Sequence, residues 1–160
     1  MKHLFKALLI SLPILLSSCG GDDSAKKEIK DPIKKSDKKV EAVVETSGPN
    51  YGIGPIAKGD VTLGDAIDQA MAEKGKAVYS AKACTTCHKP EKKFIGPAPK
   101  GVFSRRTPEW VMNMILNPEQ MIKEDADARK LLMEFNGAPM ANQNLTKEEA
   151  RQVLEYFRTL

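Results

Sequence analysis

Histidine is almost missing from this chain. There are two in 160 residues, His3 and His88, beside three cysteines and a 6% share of aromatics. The charge balance is also modest, a formal net of +4 from 25 basic and 21 acidic side chains. No basic stretch is interleaved with aromatics, which argues against RNA or DNA binding. No segment reads as a convincing strand, and no internal repeat is visible. Long apolar runs are lacking too. The run from Leu8 to Leu16 falls short of the roughly 20 residues that a spanning helix needs.

That short run follows a positive start at Lys2 and Lys6, so residues 1–18 read as a signal peptide. It ends in Leu16-Ser17-Ser18-Cys19-Gly20, which resembles a bacterial lipoprotein cleavage site. The resemblance implies cleavage before Cys19 and a lipid anchor on its sulfur, each buried CH₂ contributing about 0.8 kcal/mol. The plainer reading is an ordinary cleaved signal with an incidental cysteine. Residues 19–50 are dominated by Lys, Asp, Glu and Ser. They bury too little apolar surface to offset their ordering entropy, which predicts a disordered charged tether with a reach of roughly 30 Å. Residues 51–64 are turn-rich but apolar, and are expected to lie against the following domain as an N-terminal extension.

Residues 65–160 carry helical patterns, and the expected fold is all-α with about four helices. Ala66 to Ala83 has Ile67, Ala70, Met71, Lys74 and Val78 at three-to-four spacing, opened by Asp65 and Asp68. Thr107-Pro108-Glu109 supplies a cap and a proline at the first helical position, ahead of Trp110, Val111, Met114 and Ile115. Asn117-Pro118 is expected to stop that helix. A third helix is predicted from Asp125 to Phe135. Thr146-Lys-Glu-Glu149 is a capping box for the last one, whose apolar face carries Val153, Leu154 and Phe157.

Between the first helix and a loop lies Cys84-Thr85-Thr86-Cys87-His88. C-x-x-C-H is the attachment signature of c-type haem. Two thiols three residues apart on one turn each add to a vinyl group of the same porphyrin, and the adjacent imidazole presents Nε2 to the iron. A structural zinc site needs four ligands. Beyond Cys84, Cys87 and His88, the remaining Cys and His lie in the signal or at the anchor. A thioredoxin-like dithiol needs a βαβ context, which the sequence lacks. The cofactor read from the residues is one covalent haem c.

With that motif in view, residues 66–160 resemble a class I, single-haem bacterial cytochrome c. The shared features are a first helix, the haem motif, the Gly96-Pro97 loop, the middle helices, a methionine loop and a last helix. The resemblance implies His88 as proximal iron ligand, with the Pro97 carbonyl taking the imidazole's other proton. For the sixth ligand it implies Met140, in Asn136-Gly-Ala-Pro-Met140-Ala-Asn-Gln-Asn144 just before the last helix. Met133 is the alternative. Met112, Met114, Met121 and Met133 otherwise read as apolar filler in or beside helices. The family's loop often has proline after the methionine, where this chain has Pro139 before it and Ala141 after. Gly75, Tyr79, Tyr156 and Phe157 resemble the family's crossing of first and last helices. Trp110 and Arg106 each carry two readings: contact with haem propionates, or core packing and solvent exposure respectively.

Ligation at both axial positions by His88 and Met140 implies electron transfer, since a thioether favours Fe(II) and no site is left for substrate. An open sixth site would instead imply a haem sensor or a peroxidase-like enzyme. Against it, no second usable histidine or other acid–base group is available. Residues 74–106 carry nine Lys/Arg and one acid, Glu91, so a basic rim beside the haem motif is one reading and a solubilising surface the other. The resemblance implies redox partner proteins: a quinol-oxidising complex as donor, and a terminal oxidase or a respiratory reductase as acceptor. The expected location is extracytoplasmic, lipid-anchored to a bacterial cell membrane with the haem domain in the periplasm.

Overall fold

The computed structural model describes residues 48–160. The expected signal peptide, Cys19 and nearly all of the tether lie outside the described residues. Five α-helices form: α1 (Gln69–Ala81), α2 (Pro108–Leu116), α3 (Pro118–Glu124), α4 (Ala126–Glu134) and α5 (Lys147–Arg158). Two 3₁₀ turns, Cys84–Thr86 and Val102–Ser104, lie between α1 and α2. Among the described residues there is no strand, and no helix is long and apolar enough to cross a membrane.

Four of the five helices, all but α3, begin where a side chain takes up an otherwise unpaired first-turn N–H group. Asp68 accepts from Met71 N at 2.9 Å, so α1 starts at Gln69 rather than at Ala66. Thr107 caps Trp110 N at 3.2 Å with Pro108 inside the first turn. Thr146 and Glu149 complete a reciprocal capping box, at 3.1 Å and 2.7 Å. The expected all-α fold of about four helices is observed, with five α-helices among the described residues. Asn117-Pro118 does end α2, but Pro118 also opens α3, because a proline in the first turn gives up only an N–H that has no helical partner there. Asp125 then separates α3 from α4, capping Ala128 N at 2.8 Å and accepting Trp110 Nε1 at 3.1 Å with the same oxygen.

The core sits where α1 and α2 pack on α5. Trp110, Met112, Met121, Val153 and Leu154 are all buried in it. α1 meets α5 at Gly75, where a Cβ would overlap the Gln152 carbonyl and stand 2.9 Å from Val153 N. Only glycine lets the two backbones come this close. Tyr79, one turn on, packs against Tyr156 and Phe157 at ring separations of 5.4 Å and 5.8 Å. Glu155, 1% exposed, holds Arg151 at 2.7 Å and Arg158 at 2.8 Å. Arg158 also donates to the carbonyls of Gly64, Asp65 and Ala66, fixing the chain that leads into α1.

Residues 49–64 run as an irregular strap against α2. Asn113, fully buried, spends its whole side-chain amide on it: Oδ1 accepts from Ile56 N at 3.0 Å, and Nδ2 donates to Tyr51 O and Ile56 O at 3.0 Å and 2.9 Å. Glu109 accepts Gly59 N, and Thr107 donates to Asn50 O. Ile56 enters the core. A segment with no regular structure of its own thereby satisfies its backbone from a helix surface.

Candidate functional site

The chain leaves α1 by a left-handed residue, Ala83 (φ 56°), and tightens into the 3₁₀ turn Cys84–Thr86. Cys87 N and His88 N both reach back to Cys84 O, at 3.2 Å and 2.9 Å. The two cysteines and the histidine are therefore consecutive points on one short coil. Both thiols are free and half-buried. Burial pushes the Cys84 thiol above its usual range, and neighbouring Cys87 adds to the effect, so Cys84 stays protonated at neutral pH.

After His88 the chain loops through Phe94 and returns at Gly96-Pro97. Gly96 N donates to Cys87 O at 2.8 Å, closing the loop onto the turn. A Cβ on Gly96 would stand 2.9 Å from His88 Nδ1, and nearer still to Cε1, so only a bare backbone can lie this close to the imidazole. His88 Nδ1 is 2.8 Å from Pro97 O. A carbonyl only accepts, so Nδ1 carries the proton and Nε2 keeps its lone pair. On the other side of the turn, Tyr79 Oη donates to His88 O at 3.1 Å. Burial, with Cys84 and Tyr156 adding to it, raises the Tyr79 phenol far above its ordinary range, and it remains a donor.

Met140 lies on the segment between α4 and α5, half-buried, and packs with Cys84 against the same core. Met133 is 76% exposed, which corrects its reading as apolar filler; Met112 and Met121 are buried among core side chains. Trp110 is a core residue, 3% exposed, with its N–H spent on Asp125. Arg106 stacks on the Trp110 ring at 4.9 Å and faces Asp127 at 3.5 Å. Cys19 lies outside the described residues. The sequence did not disclose the Tyr79 hydroxyl's partner, since nothing at residue 79 signals that a carbonyl nine positions on turns back toward it.

The arrangement fits a covalently held haem c. It offers two free thiols on one turn, an imidazole fixed with a bare Nε2, and a soft thioether on a loop packed against the same core. Among the described residues no cluster of three or more His, Cys, Asp and Glu side chains is placed to hold a free metal ion.

Comparison with known proteins points the same way. No curated protein matches the chain. A cytochrome c from Rhodothermus marinus has a similar structure, with TM-score 0.61 and 40% identity over 66% of this chain and 88% of its own. An engineered R. marinus cytochrome c bound to a carbene intermediate, 1-ethoxy-1-oxopropan-2-ylidene, is 39% identical over 66% of this chain and 88% of its own, with TM-score 0.59. Residues 72–160 match the family Cytochrome c. This match spans more than half of the chain and includes the turn at Cys84–His88, so the protein belongs to the cytochrome c family.

Proposed function

We propose that this cytochrome c is a membrane-tethered, single-haem electron carrier of the bacterial periplasm, working between respiratory complexes. Haem-based electron transfer and covalent haem c come with the family. To these the proposal adds thioether links at Cys84 and Cys87, axial ligation by His88 and Met140, and a lipid anchor at Cys19 on a charged tether of residues 19–50.

Bound haem c supplies a one-electron couple at iron. The chain's own part is to hold the donors still. Pro97 O fixes the His88 tautomer and raises the ring's basicity. The Gly96 backbone prevents the ring from tilting toward the loop. Met140, packed against the core, would hold the group through its thioether and keep water and added ligands away. The observation that carries the reading is the 2.8 Å contact of His88 Nδ1 with Pro97 O, which leaves Nε2 of the neutral ring free on the residue that follows Cys87.

The basic rim is weaker than its residue count. Lys82, Lys93, Lys100 and Arg106 face Glu149, Glu134, Glu91 and Asp127 at 2.7–3.5 Å. Steering of an acidic partner would then rest on the remaining cations and fade with ionic strength. A donor such as a quinol-oxidising complex and an acceptor such as a terminal oxidase or respiratory reductase suit this chemistry.

The test uses the exported protein. Alkaline pyridine should retain a covalent haem spectrum, and the oxidised protein should show a far-red sulfur-to-iron band that Met140→Ala abolishes while lowering the potential. A Met140→Ala protein with the wild-type spectrum would refute this ligation. A wild-type protein lacking the band and binding carbon monoxide would favour a sensor or peroxidase-like role.

A further inference from the structure

The polar groups of the haem-attachment turn are mostly satisfied locally. Cys84 O takes the N–H groups of Cys87 and His88, and Cys87 O takes that of Gly96. The His88 carbonyl differs. Its donor is a side chain on a long helix, Tyr79 Oη at 3.1 Å. That tyrosine is 3% exposed and wedged between Tyr156 and Phe157. A phenylalanine would fill the same space, and burying a hydroxyl is unfavourable unless it is paired. The His88 carbonyl is therefore what gives the hydroxyl its place.

We propose that Tyr79 is a positioning residue for the proximal ligand, its hydroxyl fixing the His88 peptide to the α1–α5 crossing. The inference rests on His88 being an iron ligand, as proposed above. Two points then hold the residue. Pro97 O holds the ring at Nδ1, and Tyr79 holds the main chain that carries the ring. The support behind Tyr79 is itself tied at several points. α5 is tied to the chain entering α1 through Arg158, and Gly75 holds the two helices in contact. The crossing of the first and last helices thus reaches the iron ligand through one hydroxyl.

Without that hydroxyl the His88 peptide is free to rotate, and the contact of Nδ1 with Pro97 O loosens. An imidazole that donates a weaker hydrogen bond is a poorer base toward iron. The oxidised state loses more from this than the reduced state, so the midpoint potential rises.

The test compares the full-length holoprotein with its Tyr79→Phe variant, both labelled with ¹⁵N and carbonyl-¹³C histidine. The chain has two histidines, His3 and His88, and His88 alone reports once residues 1–18 are cleaved. The variant is expected to keep its covalent haem and helix content. Its His88 carbonyl and ring resonances shift, and its potential moves upward. Fluorotyrosine, a stronger donor, should move the His88 carbonyl resonance the opposite way in the wild-type chain and not in the Tyr79→Phe chain. That measurement holds even where haem is attached poorly to the variant. Iron-bound His88 in both proteins, with identical potentials and identical His88 resonances, would overturn this inference alone. A wild-type His88 ring that is not bound to iron would overturn the proposed ligation and this inference together.

Discussion

Gly75→Ala is the sharpest perturbation that the fold offers, because two effects of opposite sign meet at one atom. In an open helix interior the change favours folding by about 1 kcal/mol, since alanine loses less backbone freedom than glycine. Here the new methyl overlaps the Gln152 carbonyl and stands 2.9 Å from Val153 N, where ordinary contact begins at 3.4 Å. Both neighbours are backbone, so no rotamer change relieves them. α1 and α5 must separate by at least half an ångström at Val153 N, and by more at the carbonyl. That separation loosens the packing of Tyr79 on Tyr156 and Phe157. Overpacking of this kind costs about 3 kcal/mol or more, leaving a net loss of about 2 kcal/mol after the helix gain. For a domain of this size that corresponds to a melting point lower by roughly 10 °C. Urea and thermal unfolding of the haem-loaded protein would read it. Gly64→Ala is the control. Its methyl meets only Ala66 O, at 3.8 Å, and stability should change by no more than about 0.5 kcal/mol. If Gly75→Ala proved as stable as the wild type or more so, propensity would have outweighed contact and the close crossing would not exist in solution.

Gly96→Ala, whose methyl would stand 2.9 Å from His88 Nδ1, should displace the imidazole and shift the visible spectrum of the attached haem; an unaltered spectrum would contradict the close approach of Gly96 to the ring. Asn113→Ala leaves three backbone groups of residues 51–56 without partners and should cost about 3 kcal/mol, seen as rapid proteolysis within the strap while helix content is kept. Glu149 has its carboxyl held below the usual range, first by the Thr146 backbone N–H and then by Lys82 and the Thr146 hydroxyl. A depressed folded value stabilises above the unfolded value of 4.5 and is lost as pH falls below it. Glu149→Gln should therefore flatten the fall in stability on the acid side of pH 4.5, and equal slopes in the two proteins would refute the assignment.

The parts of this fold legible in the sequence are those whose cause is local. Thr146 and Glu149 lie three residues apart and cap one another, so α5 could be read without knowing its neighbours. The haem turn is likewise five consecutive residues. Pro118 shows where local reading fails. A proline stops one helix and starts another by the same missing N–H, and only the chain beyond it decides which effect is seen. Asn113 and Tyr79 fail for a different reason. An amide inside an apolar helix pattern and a hydroxyl on a buried ring declare that a partner is needed, but the partners are backbone atoms 57 and 9 positions away.

The same distinction runs through the site. Around His88, the imidazole, the two thiols and the orienting carbonyl all fall within residues 84–97, and apart from the Tyr79 bond every link is a short contact between near neighbours. Met140 reaches the core on a segment where Asn142 donates to Leu116 O at 3.4 Å, at the long limit for a hydrogen bond. Its placement rests instead on α4 ending at Glu134 and α5 beginning at Lys147, two boundaries set by separate caps. The histidine side is thus built largely by its own sequence, with Tyr79 its tie to the helices, and the methionine side by the helices around it. A change in helix packing that leaves the α1–α5 crossing and Tyr79 intact should accordingly disturb Met140 before it disturbs His88.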